Sequence, residues 1–332
     1  MELEIPSNCS PEHIYKLVLP YLIENDFLSV LEDKIGFREF HEKLIKLSSL
    51  PHGVGLGVSL MAQVNIAGQV LKILCKQENQ IAKNLLKSLV KGENIISLGV
   101  SEKGWKGKIS NTKTEIFQEG HTYYLSGEKA FFTNGGSSTS FLVVAKWKES
   151  YAIAHIHNNQ NGVRVQPFHL SFAKEATHCS MQLDKVEIAE ENLFPIDYSN
   201  YSENLRFSEM LSLCAIFVGY SQKLLSDLKS RYVDSIKSRN LEIEILKLES
   251  FIQFFKARVL EISFEKDKNP DLKLKAFFPF GLEFIIEHYY SKLNQIFSEE
   301  TIHSLDIEKD LFTFRDPMNE LYIKKAALKN LR

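Results

Sequence analysis

Short apolar runs broken by glycine, asparagine and serine fill the middle of this 332-residue chain, and longer amphipathic stretches flank them. Within residues 123–146 the runs YYL, AFFT and FLVVA are separated by Ser126-Gly127 and by Asn134-Gly135-Gly136. Aromatic and β-branched residues suit a pleated surface, and Asn and Gly accept the positive φ of tight turns. The pattern therefore predicts three consecutive antiparallel strands. Strand-like periodicity runs from Ile95 to about Leu193. Before it, residues 10–92 read as helices. Ser10-Pro11 is an N-cap followed by proline at the first helical position, and Ile14, Leu17, Leu19 and Leu22 supply an apolar stripe. Residues 37–47 and 57–74 continue the helical period, the second apolar nearly all round and so expected to be buried. Residues 77–90 end in Lys91-Gly92, a cation plus glycine stop signal. After the strands, helical period returns at 206–232, 241–266 and 272–297, with a last start at Asp316-Pro317; Asn269-Pro270-Asp271 reads as a turn.

Two features in these segments suggest chemistry and are set aside. Gly53-x-Gly55-x-Gly57 resembles a dinucleotide loop, but helical pattern lies on both sides where a βαβ unit is required, so a loop between helices is expected. His155-x-His157 puts two imidazoles on one face of a strand, yet no third ligand lies nearby, and a solvated strand face is expected instead of a metal site.

Composition narrows the class. With 44% apolar and 25% charged residues the chain reads as an ordinary globular protein, and a net charge of −2 leaves no basic footprint for nucleic acid. Residues 1–11 are acidic and polar, unlike a secretory signal. The longest unbroken apolar run, 210–220, is too short to cross a bilayer. Cys9, Cys75, Cys179 and Cys214 are widely spaced without a CxxC, which fits a reduced, cytoplasmic setting.

The segment GEKAFFTNGG, followed by a polar gap and FLVVAK, resembles the middle-domain signature of the acyl-CoA dehydrogenase family, G-x-K-x-W-I-T-N-G-G. Upstream, LGVSE at 98–102 with Gly104 sits where the family has Y-C-V-T-E-P-G. Downstream, MQLDKVEIAEENL at 181–193 resembles E-L-x-F-E-D-V-R-V-P-x-E-N-L. The resemblance implies a multi-domain α and β fold: an N-terminal α-helical domain (1–94), a middle β-barrel or sandwich domain (95–200) and a C-terminal four-helix bundle (201–332). It also implies an oxidoreductase of fatty acid metabolism. A base removes the α proton of an acyl thioester while hydride leaves Cβ for a bound FAD. Carried over by motif, Leu98, Val100, Ser101, Phe131, Phe132 and Thr133 face the flavin. Phe131 shields the ring, Thr133 reaches its N5 region, and Ser101 serves the polar edge. The plain alternatives are core aromatics for Phe131 and Phe132, and turn capping for Ser101 and Thr133.

In the resemblance the base has two places. The usual Glu follows an R-D that matches Arg315-Asp316, but the count puts Lys324 there. Isovaleryl and long-chain types use a Glu early in the first helix of the C-terminal bundle, and Glu209 matches it, with Leu211, Leu213, Gly219 and Gln222 in register. Glu209 is thus the candidate base; its alternative is an acid in a helix's first turn, stabilised by the macrodipole. If both positions meet in one cavity, Glu209 and Lys324 form an ion pair that lowers basicity. Other departures weaken the match. No R-x-x-F-G lies between Lys229 and Leu246, QIFSEET at 295–301 replaces the glycine-rich phosphate cradle, KGK at 106–108 replaces G-S-D, and Met210 stands where an Arg orients CoA. Two expectations stay open: a shortened, divergent flavoenzyme binding an acyl-CoA-like molecule, or an inactive subunit with FAD weakly held or lost, partnering an active paralogue. Either forms a homo-oligomer, dimer or tetramer, and neither binds nucleic acid, membrane or metal.

Overall fold

The computed structural model describes residues 5–6, 8–105, 108–168, 170, 172–196, 198–270, 272 and 277–297, side chains at 199 and 277–285 excepted. Helices open the chain: α1 (Pro11–Glu24), α2 (Phe37–Ser48), α3 (Gly53–Met61), a π-helical turn (Ala62–Gly68), α4 (Gln69–Lys76) and α5 (Gln80–Val90). Strands follow: β1 (Ile96–Gly99), β2 (Glu115–Glu119), β3 (Thr122–Thr133), β4 (Ser140–Trp147), β5 (Ser150–His157), β6 (Val163–Phe168), β7 (His178–Ile188) and β8 (Leu193–Phe194). The chain then returns to helix in α6 (Ser202–Arg231), α7 (Val233–Ser238), α8 (Glu242–Lys268) and α9 (Phe277–Ile296). The expected helix from Asp316-Pro317 lies outside the described residues.

Local chemistry explains several helix ends. Pro11 begins α1 with Ser10 at its N-cap, although the Ser10 hydroxyl meets His13 Nδ1 at 2.8 Å instead of a backbone N–H. Asn79 caps α5 by accepting from Ala82 N at 2.9 Å. Gly92 then takes a left-handed φ of 71° just beyond the helix. The cap of α2 comes from far away: Asp267 on α8 accepts from Phe37 N at 2.5 Å and Arg38 N at 3.1 Å. That contact satisfies two of the four orphan donors of a helix start.

The helices before and after the sheet share one core. Leu44, Leu60, Ile216, Phe217, Val259 and Tyr289 belong to the same buried cluster, which also takes Ile96, Leu142, Val144 and Ile153 from the sheet. A second cluster lies on the sheet's other side, with Phe132, Phe141, Val143, Ala145, Ala154, Cys179 and Val186. β4 is buried on both faces, which is why it reads as an unbroken FLVVA run. The sheet has eight strands in the order β6-β7-β3-β2-β4-β5-β8, with β1 also paired to β4 in parallel. It curls so that Phe132 of β3 packs edge-on against Phe141 of β4, ring centroids 5.1 Å apart.

Tertiary contacts overturn several local readings. Ser126-Gly127 is not a turn; it lies inside β3, where Gly127 adopts φ 141° and the Thr114 backbone packs against its missing Cβ. The β2–β3 hairpin turns instead at Gly120-His121. Asn134 does take the left-handed conformation (φ 62°), but it leads into a 3-10 turn and not a hairpin, because β2 lies between β3 and β4. The GxGxG stretch is helix, not loop: α3 starts at Gly53, where a Cβ would collide with the Leu47 carbonyl. His155 and His157 do share a face, rings 4.9 Å apart, but His155 is buried and bonded through Nδ1 to Asn192 Oδ1 at 3.2 Å. Burial lowers its pKa to about 4. Finally, Gly53–Lys76 is long and apolar enough to cross a membrane, unlike the 210–220 run, yet 89% of its apolar window is buried inside the fold.

Candidate functional site

The residues singled out by motif gather where β1 runs out beside β3. β1 ends at Gly99, and the next three residues are held by an ion pair. Lys129 Nζ, from β3, donates to Glu102 Oε1 at 2.7 Å and to the Val100 carbonyl at 3.1 Å. Glu102 also accepts from Lys113 N (2.7 Å), Thr114 N (3.0 Å) and Thr114 Oγ1 (2.7 Å). Burial pushes the Glu102 carboxyl up, but these donors and the Lys129 charge outweigh it and leave it below its ordinary value. Burial likewise pulls Lys129 down against the pull of Glu102. Ser101 is tied in by its carbonyl, which accepts from Ala130 N at 2.9 Å.

On β3 the alternation of side chains sorts the candidates. Phe132 is wholly buried against Phe141 and Cys179, so the plain reading of a core aromatic holds for it. Phe131 and Thr133 take the other face; Phe131 is 37% exposed and Thr133 half-buried. The Thr133 carbonyl accepts from Ser97 Oγ at 2.8 Å. The hydroxyls of Ser101 and Thr133 make no hydrogen bond among the described residues, which does not fit turn capping. Leu98 is buried on the helical side of β1, and Val100 packs half-buried against the same core.

Glu209 sits on α6, which begins at Ser202, so it lies past the first turn where the macrodipole acts. It is half-buried, and its Oε2 accepts from Arg206 at 2.7 Å. The i,i+3 spacing could have revealed this partner in the sequence; Lys324 lies outside the described residues. The Tyr198 phenol is pushed up by burial and then by the nearby Glu209 charge.

Buried amides connect the two halves of the site. Gln63, in the π-helical turn, donates to the Ile96 carbonyl at 2.7 Å and accepts from Ile96 N at 3.1 Å. Two residues on, Asn65 donates to the Ser208 carbonyl at 2.7 Å and to Ser212 Oγ. Ser212 Oγ meets His41 Nε2 at 2.8 Å, and His41 Nδ1 meets Ser263 Oγ at 2.8 Å. Ser263 spends its proton on the Val259 carbonyl, so His41 donates from Nδ1 and accepts at Nε2 from Ser212. Burial, with the Lys266 charge adding to it, lowers the His41 pKa to about 3 and keeps the ring neutral. The signal for this network was two amides inside an otherwise apolar run.

Two surface grooves, of about 500 and 450 Å³, lie elsewhere, between α2 and α8 around Arg38 and Phe264. Among the described residues no group of three or more His, Cys, Asp or Glu is placed to hold a metal.

No family model and no curated protein matches the sequence. Solved structures do match along its length. Butyryl-CoA dehydrogenase from Megasphaera elsdenii aligns with a TM-score of 0.75 at 14% identity, over 97% of this chain and 89% of that one. PigA with FAD and proline aligns at 0.70 and 15%, over 99% of both chains. The glutaryl-coenzyme A dehydrogenase glutaryl-CoA complex aligns at 0.68 and 14%, over 100% and 97%. Agreement over nearly the whole length shows the architecture: the chain has the acyl-CoA dehydrogenase fold.

Proposed function

We propose that this chain is a flavoprotein of the acyl-CoA dehydrogenase type, acting on the Cα–Cβ bond of an acyl thioester. The observation that carries the reading is the split of β3, with Phe132 in the core while Phe131 and Thr133 share a half-open face next to the Ser101 segment. These residues fit the ring end of FAD, since two hydroxyls without partners among the described residues and an exposed aromatic suit a planar group with polar edges. When bound, FAD supplies the hydride acceptor. The chain's own part is to hold that ring on β3 and, at Glu209, to accept the α proton on a carboxylate oxygen. Arg206 already engages Oε2, so Oε1, which bonds to no described residue, is the better placed acceptor. Neighbours of this fold include one bound to FAD and one bound to glutaryl-CoA, which supports both ligand classes.

The second reading, a non-catalytic subunit, is favoured by the missing phosphate motifs. Residues 229–246 form the end of α6, the short α7 and the start of α8, with no R-x-x-F-G. On α8, Ile243, Leu246 and Phe254 are 68%, 61% and 77% exposed, which supports an oligomer under either reading. All four cysteines are free thiols, in keeping with a cytoplasmic setting.

Flavin titration followed by anaerobic acyl-CoA addition tests the proposal. Yellow protein whose flavin absorption is bleached by the acyl-CoA supports the enzyme. Protein that binds flavin but is never bleached supports the subunit, and protein that takes up no flavin refutes the flavoprotein reading.

A further inference from the structure

Thr133, His178 and Phe168 stand in one row across three neighbouring strands. Thr133 of β3 pairs with His178 of β7, and His178 pairs with Phe168 of β6. Register partners place their side chains on the same face of a sheet, and Phe131, two residues from Thr133, shares it. Ring geometry agrees. Phe131 lies 4.6 Å from His178 and 5.5 Å from Phe168, and Phe168 lies 6.0 Å from His178 with planes only 21° apart. The three rings form one aromatic wall beside the Thr133 hydroxyl.

Packing alone does not account for the histidine. It is 5% exposed, and its Nδ1 has no hydrogen-bond partner among the described residues. A buried polar atom left without a partner is destabilising, whereas a leucine or phenylalanine would fill the space without that loss. Burial lowers its pKa to about 4, the Phe132 backbone partly offsetting this, so the ring is neutral near pH 7.

Resting on the flavoprotein reading, we infer that His178 is a ligand-binding residue of the ring site. Its Nδ1 makes a hydrogen bond to the polar edge of a planar heteroaromatic ligand stacked against Phe131 and Phe168. Nothing in the motif match points to this residue; the strand register and the ring contacts do.

The test uses riboflavin, which carries the ring without the phosphates, titrated into the full-length protein by fluorescence quenching. His178→Leu keeps apolar bulk and loses Nδ1, whereas His178→Asn places a polar atom close to the Nδ1 position. The Leu variant is expected to bind about 5–10-fold more weakly, the worth of one hydrogen bond, and to lose the shift of the bound flavin's absorption band. The Asn variant is expected to recover binding to within about twofold. Far-UV circular dichroism and melting confirm that each variant is folded; a Leu variant that fails to fold leaves the Asn variant and His178→Phe to make the same comparison. Equal affinity and identical bound spectra in wild type, Leu and Phe variants would overturn the role of His178 while leaving the flavoprotein reading intact. Wild-type protein that binds no riboflavin overturns both.

Discussion

Replacing Lys129 by methionine tests the buried ion pair that anchors Val100 and Ser101 to β3. The lysine side chain is fully buried and its Glu102 partner is 7% exposed, so neither ion falls back on water. Removing the ammonium leaves Glu102 with three donors, from Lys113 N and Thr114 N and Oγ1, but without its countercharge. It also strips the Val100 carbonyl of a hydrogen bond. Losing one member of a buried pair typically costs about 3–5 kcal/mol. With an m-value of about 3 kcal/mol/M, that lowers the urea midpoint by roughly 1–1.7 M at pH 7. The sign with pH also reverses. In the wild type Glu102 is held below its ordinary value, so its contribution is present above the unfolded pKa and lost as pH falls through the folded one. In Lys129→Met burial dominates and raises the carboxyl, so the variant's deficit relative to wild type shrinks as pH falls from 7 toward 5. Adding Glu102→Gln to Lys129→Met should recover most of the loss. A single variant within about 1 kcal/mol of wild type, or a double variant no better than the single, would refute this account of the pair.

Three further outcomes follow from the site. Buried neutral His41, whose pKa falls to about 3, makes the fold acid-labile: stability is full above about pH 6.5 and declines by up to about 1.4 kcal/mol per pH unit below it. His41→Asn should flatten that slope in urea melts between pH 6 and 4, at a cost of about 2–4 kcal/mol at pH 7 from the broken Ser212–His41–Ser263 bridge. Glu209→Gln should leave stability within about 1 kcal/mol, because it removes only a half-buried pair with Arg206; under the enzyme reading it should cut the acyl-CoA bleaching rate by about 10²–10⁴ with flavin still bound. Thr133→Val, nearly isosteric on a half-buried face, should keep the melting profile and weaken riboflavin binding several-fold (about 2–10).

Much of this molecule was legible from residue order alone. Helical period located α1, α2, α5, α6, α8 and α9 to within a few residues, because a 3.6-residue stripe is a property of one segment. The FLVVA run announced a strand, and β4 is one; that both its faces are covered came from the fold. The motif match placed Ser101, Phe131 and Thr133 in one region, but it could not separate Phe131 from Phe132, whose fates depend on which face meets the core. Other features arose only between segments distant in sequence. Gly127 became a kink inside a strand because Thr114 presses on it, and Gly53 opened a helix because Leu47 passes too close for a side chain. Lys129 found Glu102 across 27 residues, and His178 joined Thr133 and Phe168 through a register that no single strand encodes. Periodicity and turn preference are written into a few adjacent residues, while close approach, pairing and desolvation require the whole chain to have folded.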